Sequence, residues 1–170
     1  MANNFPLRGS SAVLQLATNT FPGGVLAGQI FNEEYNIATV GRVTGVEIRV
    51  NTDLEVFHEI GTREPQDVVP GNINISGRVD RAFINGALLR LLMGRLGGAG
   101  ANEDNFPLEL QPIFNMILDM TDIRQAGTIG TKLTVSSVRF DDWAVVVPED
   151  DFIMENVTFK AIRITREEKQ

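Results

Sequence analysis

Apolar and polar residues alternate along much of this chain. Between Ile73 and Asp80, Ile73, Ile75 and Val79 fall in one phase, and Asn74, Ser76, Arg78 and Asp80 in the other. A period of two marks a half-buried β-strand with one wet face. Upstream, Val46, Ile48 and Val50 alternate with Glu47, Arg49 and Asn51, so Ala38 to Asn51 reads as a strand. Asn51-Thr52-Asp53 supplies a turn and Leu54 to Ile60 a return strand. The result is a hairpin with charges of both signs on its polar face, as suits a sheet facing water. Ile60 to Gly71 is turn-rich. Pro65 and Pro70 fix φ and lack an N–H, so each resists a central-strand position. Gly61 and Gly71 supply the freedom that tight turns need.

One stretch has a helical period. Over Gly86 to Leu96, Leu89, Leu92, Met93 and Leu96 recur at i, i+3, i+4 and i+7, with Leu88 and Leu91 widening the stripe. Asn85 is placed to cap it, Arg90 and Arg95 lie off the stripe, and Gly97-Gly98 closes it. A helix of about 16 Å is unstable alone in water and has to pack on the sheet.

The rest predicts strands. Phe114 to Met120 is one. Thr128 to Phe140 is a strand pair or one long strand, Asp141-Asp142 a turn, and Trp143 to Val147 a strand ended by Pro148. Asn156 to Thr165 is the last, with a change of phase near Ala161 that predicts a bulge or twist. Residues 1–37 are rich in Asn, Gly, Ser and Thr and read as an extended N-terminal arm of the same domain. Ala12 to Ala17 there is a short strand or helical turn, and Phe21-Pro22-Gly23-Gly24 a turn. The arm holds four of the twelve aromatics, so it either covers its own core or docks on a neighbouring subunit. Residues 38–170 form the remaining unit, a β-sandwich or barrel of about seven strands with one flanking short helix.

Composition narrows the chemistry. The chain has 170 residues, 43% of them apolar, enough for one packed domain. Its net charge of −7 argues against a protein that grips nucleic acid, since such proteins neutralise phosphates with Lys and Arg. With no cysteine there are no disulfides and no thiolate chemistry. Met1 to Ser10 is polar and no apolar run approaches the ~20 residues of a membrane helix. A soluble product made in a cytoplasm is expected. The sequons at Asn74 and Asn156 carry no weight without a secretion signal.

Catalytic motifs fail on inspection. His58 is the lone histidine and no Gly-x-Ser-x-Gly elbow accompanies it. One histidine cannot make a typical zinc site. Asp141-Asp142 and Glu149-Asp150-Asp151 lack the spacing of a calcium loop. The glycines of Gly94 to Gly100 close a helix where a phosphate loop would open one. No catalytic residue, cofactor or metal is assigned.

The phrase Ile60-Gly61-Thr62-Arg63-Glu64-Pro65-Gln66-Asp67-Val68-Val69-Pro70-Gly71, followed by an alternating strand with Ser76-Gly77-Arg78 and a short helix, resembles bacteriophage tail tube proteins and their relatives in contractile injection systems. The resemblance covers Val43 to Leu96 well and the rest in outline. It implies a mainly β sandwich or barrel with a flanking helix, no enzymatic activity and no cofactor. It implies homohexameric rings stacked into a tube, with hairpins of six subunits closing one barrel around a lumen. DNA would pass through without specific binding during ejection into the host. Sheath, baseplate, tape-measure and tail terminator proteins would be partners. The product would sit in the virion tail after assembly in the host cytoplasm.

On that reading Glu47, Arg49, Asn51 and Glu55 are lumen candidates, with Arg78 and Asp80 second. Arg63, Glu64, Asp67, Arg78 and Arg81 are candidates for subunit contacts, where pairing between neighbours would fix register. Six chains at −7 give −42 per ring, and an acidic or neutral lumen lets DNA slide where a basic one would stall it. An arginine in the lumen counts against that. A tube of a phage-like injection or secretion apparatus, or a capsid decoration protein forming trimers or monomers, remains an alternative. A ligand-binding barrel is disfavoured by 7% aromatic residues and the wet strand faces.

Overall fold

The computed structural model describes residues 9–34, 36, 38–94, 111–121 and 130–169. Seven strands run antiparallel throughout: β1 (Ala12–Thr18), β2 (Val43–Phe57), β3 (Asp67–Ala82), β4 (Phe114–Thr121), β5 (Gly130–Val146), β6 (Met154–Ala161) and β7 (Arg163–Lys169). Two short helices accompany them, α1 (Pro22–Gly28), which continues into a π-type turn over Gln29–Glu34, and α2 (Ala87–Met93). The strand order is β1-β4-β5-β6-β3-β2, with β7 beside β5, so the sheet curls into a half-barrel. This is the mainly β architecture the alternation predicts.

β5 makes the curl. Its first part pairs with β4 and β7, and its second part, from Arg139 to Val146, pairs with β6. The bend lies at Ser137, whose φ is 58°. Asparagine side chains satisfy the backbone there. Ser137 N donates to Asn115 Oδ1 at 3.0 Å, and Asn19 Nδ2 reaches the same oxygen at 2.9 Å and Ser137 Oγ at 3.2 Å. A register shift between Phe140 and Asp142 adds a bulge. The predicted turn at Asp141-Asp142 is therefore absent. A bulge re-aims one continuous strand where the sequence pattern implies two. At the other predicted irregularity the chain does break: Ile162 separates β6 from β7 and donates its N–H to Ser136 O.

Between the two halves of the curl lies the core, built from Leu14, Leu16, Ile75, Val79, Phe114, Met116, Val135, Val138, Phe140, Val157 and Phe159. Phe114 and Phe140 meet edge to face with centroids 4.9 Å apart. The N-terminal segment differs from an extended arm. β1 pairs with β4 along its whole length, and Leu26, Ala27 and Ile30 of the helical stretch are buried. Phe21-Pro22-Gly23-Gly24 opens α1 and is no reversing turn. Pro22 sits in the first helical turn, where no N–H is required. Gly24 is needed for closeness, since a Cβ there would lie 1.9 Å from Asn19 O. Phe5 and Tyr35 of the proposed arm lie outside the described residues.

Helix α2 is shorter than its pattern and rotated. Ala87, Leu88, Arg90 and Leu91 are buried, Leu89 and Leu92 are half-buried, and Met93 is exposed. Arg90, expected off the apolar stripe, turns its Nη1 onto the carbonyl of Gly94. Asn85 still serves the helix start, accepting from Ala87 N at 3.3 Å. Leu96, Arg95 and the closing glycines lie outside the described residues.

Candidate functional site

The β2–β3 pair does not turn at Asn51-Thr52-Asp53. β2 runs straight through to Phe57 and the reversal lies in residues 58–66, closed by Gln66 N on Phe57 O at 2.9 Å. Gly61 takes φ 94°, and Thr62 donates its N–H and hydroxyl to Glu59 O. Pro70 therefore lies within β3, opposite Leu54. It is tolerated because β6 joins β3 only from Ile75 onward, so Pro70 sits where one flank of β3 is open.

Beyond Ile75 the hairpin is a two-stranded ribbon, exposed from Arg49 to Asn74. From Asn51 to Phe57 it spans roughly 20 Å. Its pairing gives it two different faces. Val46, Ile48, Val50, Thr52, Leu54 and Val56 face one way, opposite Val79, Gly77, Ile75, Ile73, Pro70 and Val68. A register shift between Thr52 and Leu54 keeps Ile73, Pro70 and Val68 opposite Thr52, Leu54 and Val56, while Phe57 and Val69 fall on the other face. Near the domain this stripe joins the core. Further out it is bare: Leu54 is 62% exposed, Val56 51% and Ile73 66%. An apolar stripe on a two-stranded ribbon is not stable in water without a cover.

Glu47, Arg49, Asn51 and Glu55 all stand on the opposite, polar face. The turn expected between them is missing, yet the phase is kept, and the four lumen candidates share one surface. Arg78 joins them directly across from Glu47, and Asp80 follows along β3. β6 and β5 extend this face with Thr158, Lys160, Arg139, Asp141 and Asp142. Three ion pairs lie on it: Arg49–Glu47 at 2.8 Å, Arg78–Asp80 at 3.0 Å and Lys160–Asp141 at 3.7 Å. Thr158 Oγ1 donates to the other oxygen of Asp141.

The candidates for subunit contact divide. Arg63, Glu64 and Asp67 are exposed at the far end of the hairpin. Arg78 belongs to the polar face. Arg81 departs from the expectation: it is 0% exposed and points into the core. Its Nε pairs with Glu155 Oε1, and its Nη2 reaches Asn85 O at 3.3 Å and Asn85 Oδ1 at 3.2 Å. Trp143 Nε1 donates to the second oxygen of Glu155 at 2.8 Å. Positions 78 and 81 of one strand have opposite parity, so both could not face the same way. The group ties β3, β5, β6 and the start of α2 together.

Two further features escaped the sequence. Among the described residues, the four-stranded half of the sheet (second part of β5, β6, β3, β2) has two open edges, along β2 and along Arg139–Val146 of β5. At the end of this sheet opposite the hairpin, Ile84, Val146, Val147 and Phe152 are exposed, the last by 80%. Among the described residues no group of acidic or histidine side chains is arranged to hold a metal ion, and no helix is long and apolar enough to cross a membrane. His58 lies exposed in the hairpin loop.

No family model and no curated protein matches the sequence. Solved structures do match the fold. A chain of the sheath–tube complex of an extracellular contractile injection system (PVC) in its extended state superposes with a TM-score of 0.64 at 11% identity, covering 97% of this chain and 93% of that one. The tube-terminating cap of the anti-feeding prophage gives 0.61 at 14% identity, with 99% and 95% covered. The SPP1 tail tube gives 0.58 at 9% identity, with 96% and 80% covered. The chain has the tail-tube fold.

Proposed function

We propose that this chain is a structural subunit of a tail tube, six copies closing into a ring and the rings stacking into a conduit for DNA ejection. The observation that carries this is the four-stranded sheet with two open edges, one polar and one apolar face, and a projecting hairpin. An open edge is a template for pairing, and closure into a barrel removes it. Joining the β2 edge of one copy to the β5 edge of the next would give a ring of 4 × 6 = 24 strands. Packing the apolar face on each subunit's own core leaves the polar face for the lumen. Glu47, Arg49, Asn51 and Glu55 would then line the channel, with Arg78 and Asp80.

The hairpin's apolar stripe and the apolar end at Val146, Val147 and Phe152 lie at opposite ends of the sheet. Different surfaces meeting head to tail generate an open filament, as a stack of rings requires. Arg63, Glu64 and Asp67 would sit at that contact. The reading is of a non-enzymatic part of the tail of a phage or phage-like particle, assembled in the host cytoplasm. Sheath, baseplate, tape-measure and terminator proteins would be its partners.

A second reading replaces DNA by another cargo. It is favoured by the likeness to chains of two injection-system assemblies, the PVC sheath–tube complex and the anti-feeding prophage cap. Negative-stain electron microscopy with light scattering on the purified chain tests the tube itself. Hollow tubes or rings with six-fold end views are expected. A stable trimer would overturn the reading in favour of a decoration protein.

A further inference from the structure

Where β2, β3, β6 and the second part of β5 run side by side, the polar face is not acidic, although the chain is; Asp53 and Glu55 stand further out, on the two-stranded hairpin. Glu47, Asp80, Asp141 and Asp142 stand beside Arg49, Arg78, Arg139 and Lys160, four carboxylates against four cations. They sum to zero in a chain whose net charge is −7. The signs are also interleaved. Arg49 has Glu47 two residues away on its own strand, Arg78 has Asp80 likewise, and Lys160 has Asp141 across the β5–β6 pairing. We propose that Glu47, Asp80 and Asp141 act as masks for these three cations, so that this four-stranded part of the face meets duplex DNA as a neutral wall that neither holds nor strongly repels it. The proposal rests on the reading of this face as the channel wall.

Its physical basis is the cancellation of fields and not the strength of the pairs. An exposed pair is worth ~0–1 kcal/mol and a phosphate could compete for the cation. But the carboxylate stays within a few ångströms. At distances comparable to the ~8 Å screening length of physiological salt, a passing polyanion meets a dipole and no net charge. Lys and Arg hold DNA by displacing condensed counterions, and that gain needs net cations facing the phosphates. The four cations also have a reason to be present. Without them the four-stranded part of six copies alone would set 6 × 4 = 24 carboxylates facing one another in a closed channel, and like charges oppose closure.

The test compares two variants with equal change of net charge. Glu47→Gln/Asp80→Asn/Asp141→Asn removes the masks while keeping side-chain shape, including the acceptor for Thr158. Glu33→Gln/Glu149→Gln/Asp150→Asn removes three exposed carboxylates elsewhere. Both take the chain from −7 to −4. Binding of a fluorescent DNA duplex is followed by anisotropy against salt, and the same samples are imaged by electron microscopy. Only the first variant should bind, with a log–log salt slope of roughly −3 for three released cations. Wild type and the second variant should show no binding at physiological salt. Equal gain in both variants, no gain in the first, or salt-dependent binding by wild type would each overturn the masking role. Imaging judges the channel reading separately. Masking found on a chain that never forms rings would refute the channel alone, and wild-type tubes that hold DNA would refute masking alone.

Discussion

Replacing Glu155 by Leu should destabilise the fold far more than replacing Glu155 and Arg81 together. Arg81 and Glu155 are 0% and 1% exposed, and each is the other's counter-charge. Removing the carboxylate alone strands a guanidinium inside the core, which costs ~3–5 kcal/mol. For a domain of this size each kcal/mol lowers Tm by ~2–4 °C, so Glu155→Leu should lower it by roughly 6–20 °C. Arg81→Met with Glu155→Leu removes both charges and their desolvation. What remains is the Trp143 indole N–H, which loses its 2.8 Å acceptor at a cost of ~1–3 kcal/mol, and the hold of Arg81 on Asn85. The double variant should thus be the more stable of the two, with a coupling of about 2 kcal/mol or more. Urea unfolding followed by circular dichroism, at a concentration where the chain is unassembled, gives all four corners of the cycle. Additive costs would refute the claim that the two charges act as one unit.

The remaining outcomes concern assembly and packing. Leu54→Glu with Val56→Glu should leave the circular dichroism spectrum intact and abolish tubes. Completing the burial of Leu54, Val56, Val68 and Ile73 is worth about 4 kcal/mol per contact, or ~10³-fold in affinity, and the variant forfeits most of it. Gly77→Ala should lower the urea midpoint by the equivalent of ~1–3 kcal/mol, because the new Cβ would lie 2.1 Å from Glu47 O and 2.5 Å from the Phe159 ring. Arg63→Glu should weaken assembly without altering stability, measured by light scattering and thermal melting. The same replacement at Arg81 would unfold the chain and say nothing about contacts.

The wet and dry faces of β2 and β3 were legible because a period of two survives any error in where a strand ends. The Asn51-Thr52-Asp53 triplet has the composition of a turn, yet Leu54 and Val56 continue the phase of Val46, Ile48 and Val50, and that continuity was the better signal. Arg81 was misread for a related reason. It shares the parity of Ile75 and Val79, which points it inward, while its charge points it outward, and a buried arginine is rare. Its partner Glu155 lies 74 positions away, beyond any local pattern. The kink of β5 is illegible because it depends on Asn115 of β4 and on Asn19, just past the end of β1, arriving from elsewhere in the chain. Pro22 read as a turn because proline serves turns and first helical turns alike.

An open edge and a bare apolar stripe invite indiscriminate association, so something has to delay it. In the proposed stack the charges at the two ends of the sheet would do this. From Asp53 to Asp67 the hairpin carries Asp53, Glu55, Glu59, Glu64 and Asp67 against Arg63, a sum of −4. The opposite end carries Glu149, Asp150 and Asp151, a sum of −3. In a head-to-tail stack these two acidic groups approach each other while the apolar residues beside them are buried. Contact is then driven by the hydrophobic effect and opposed by Coulomb repulsion, and only the second term is screened by salt. The screening length falls from ~10 Å at 0.1 M to ~3 Å at 1 M. Tube yield from the purified chain should therefore rise with sodium chloride over that range, and Glu149→Gln/Asp150→Asn/Asp151→Asn should assemble at low salt as wild type does at high salt. Light scattering against salt for both proteins reads the effect. Wild-type tubes that dissolve as salt is raised would refute this balance, and would place attractive ion pairs at the stacking contact.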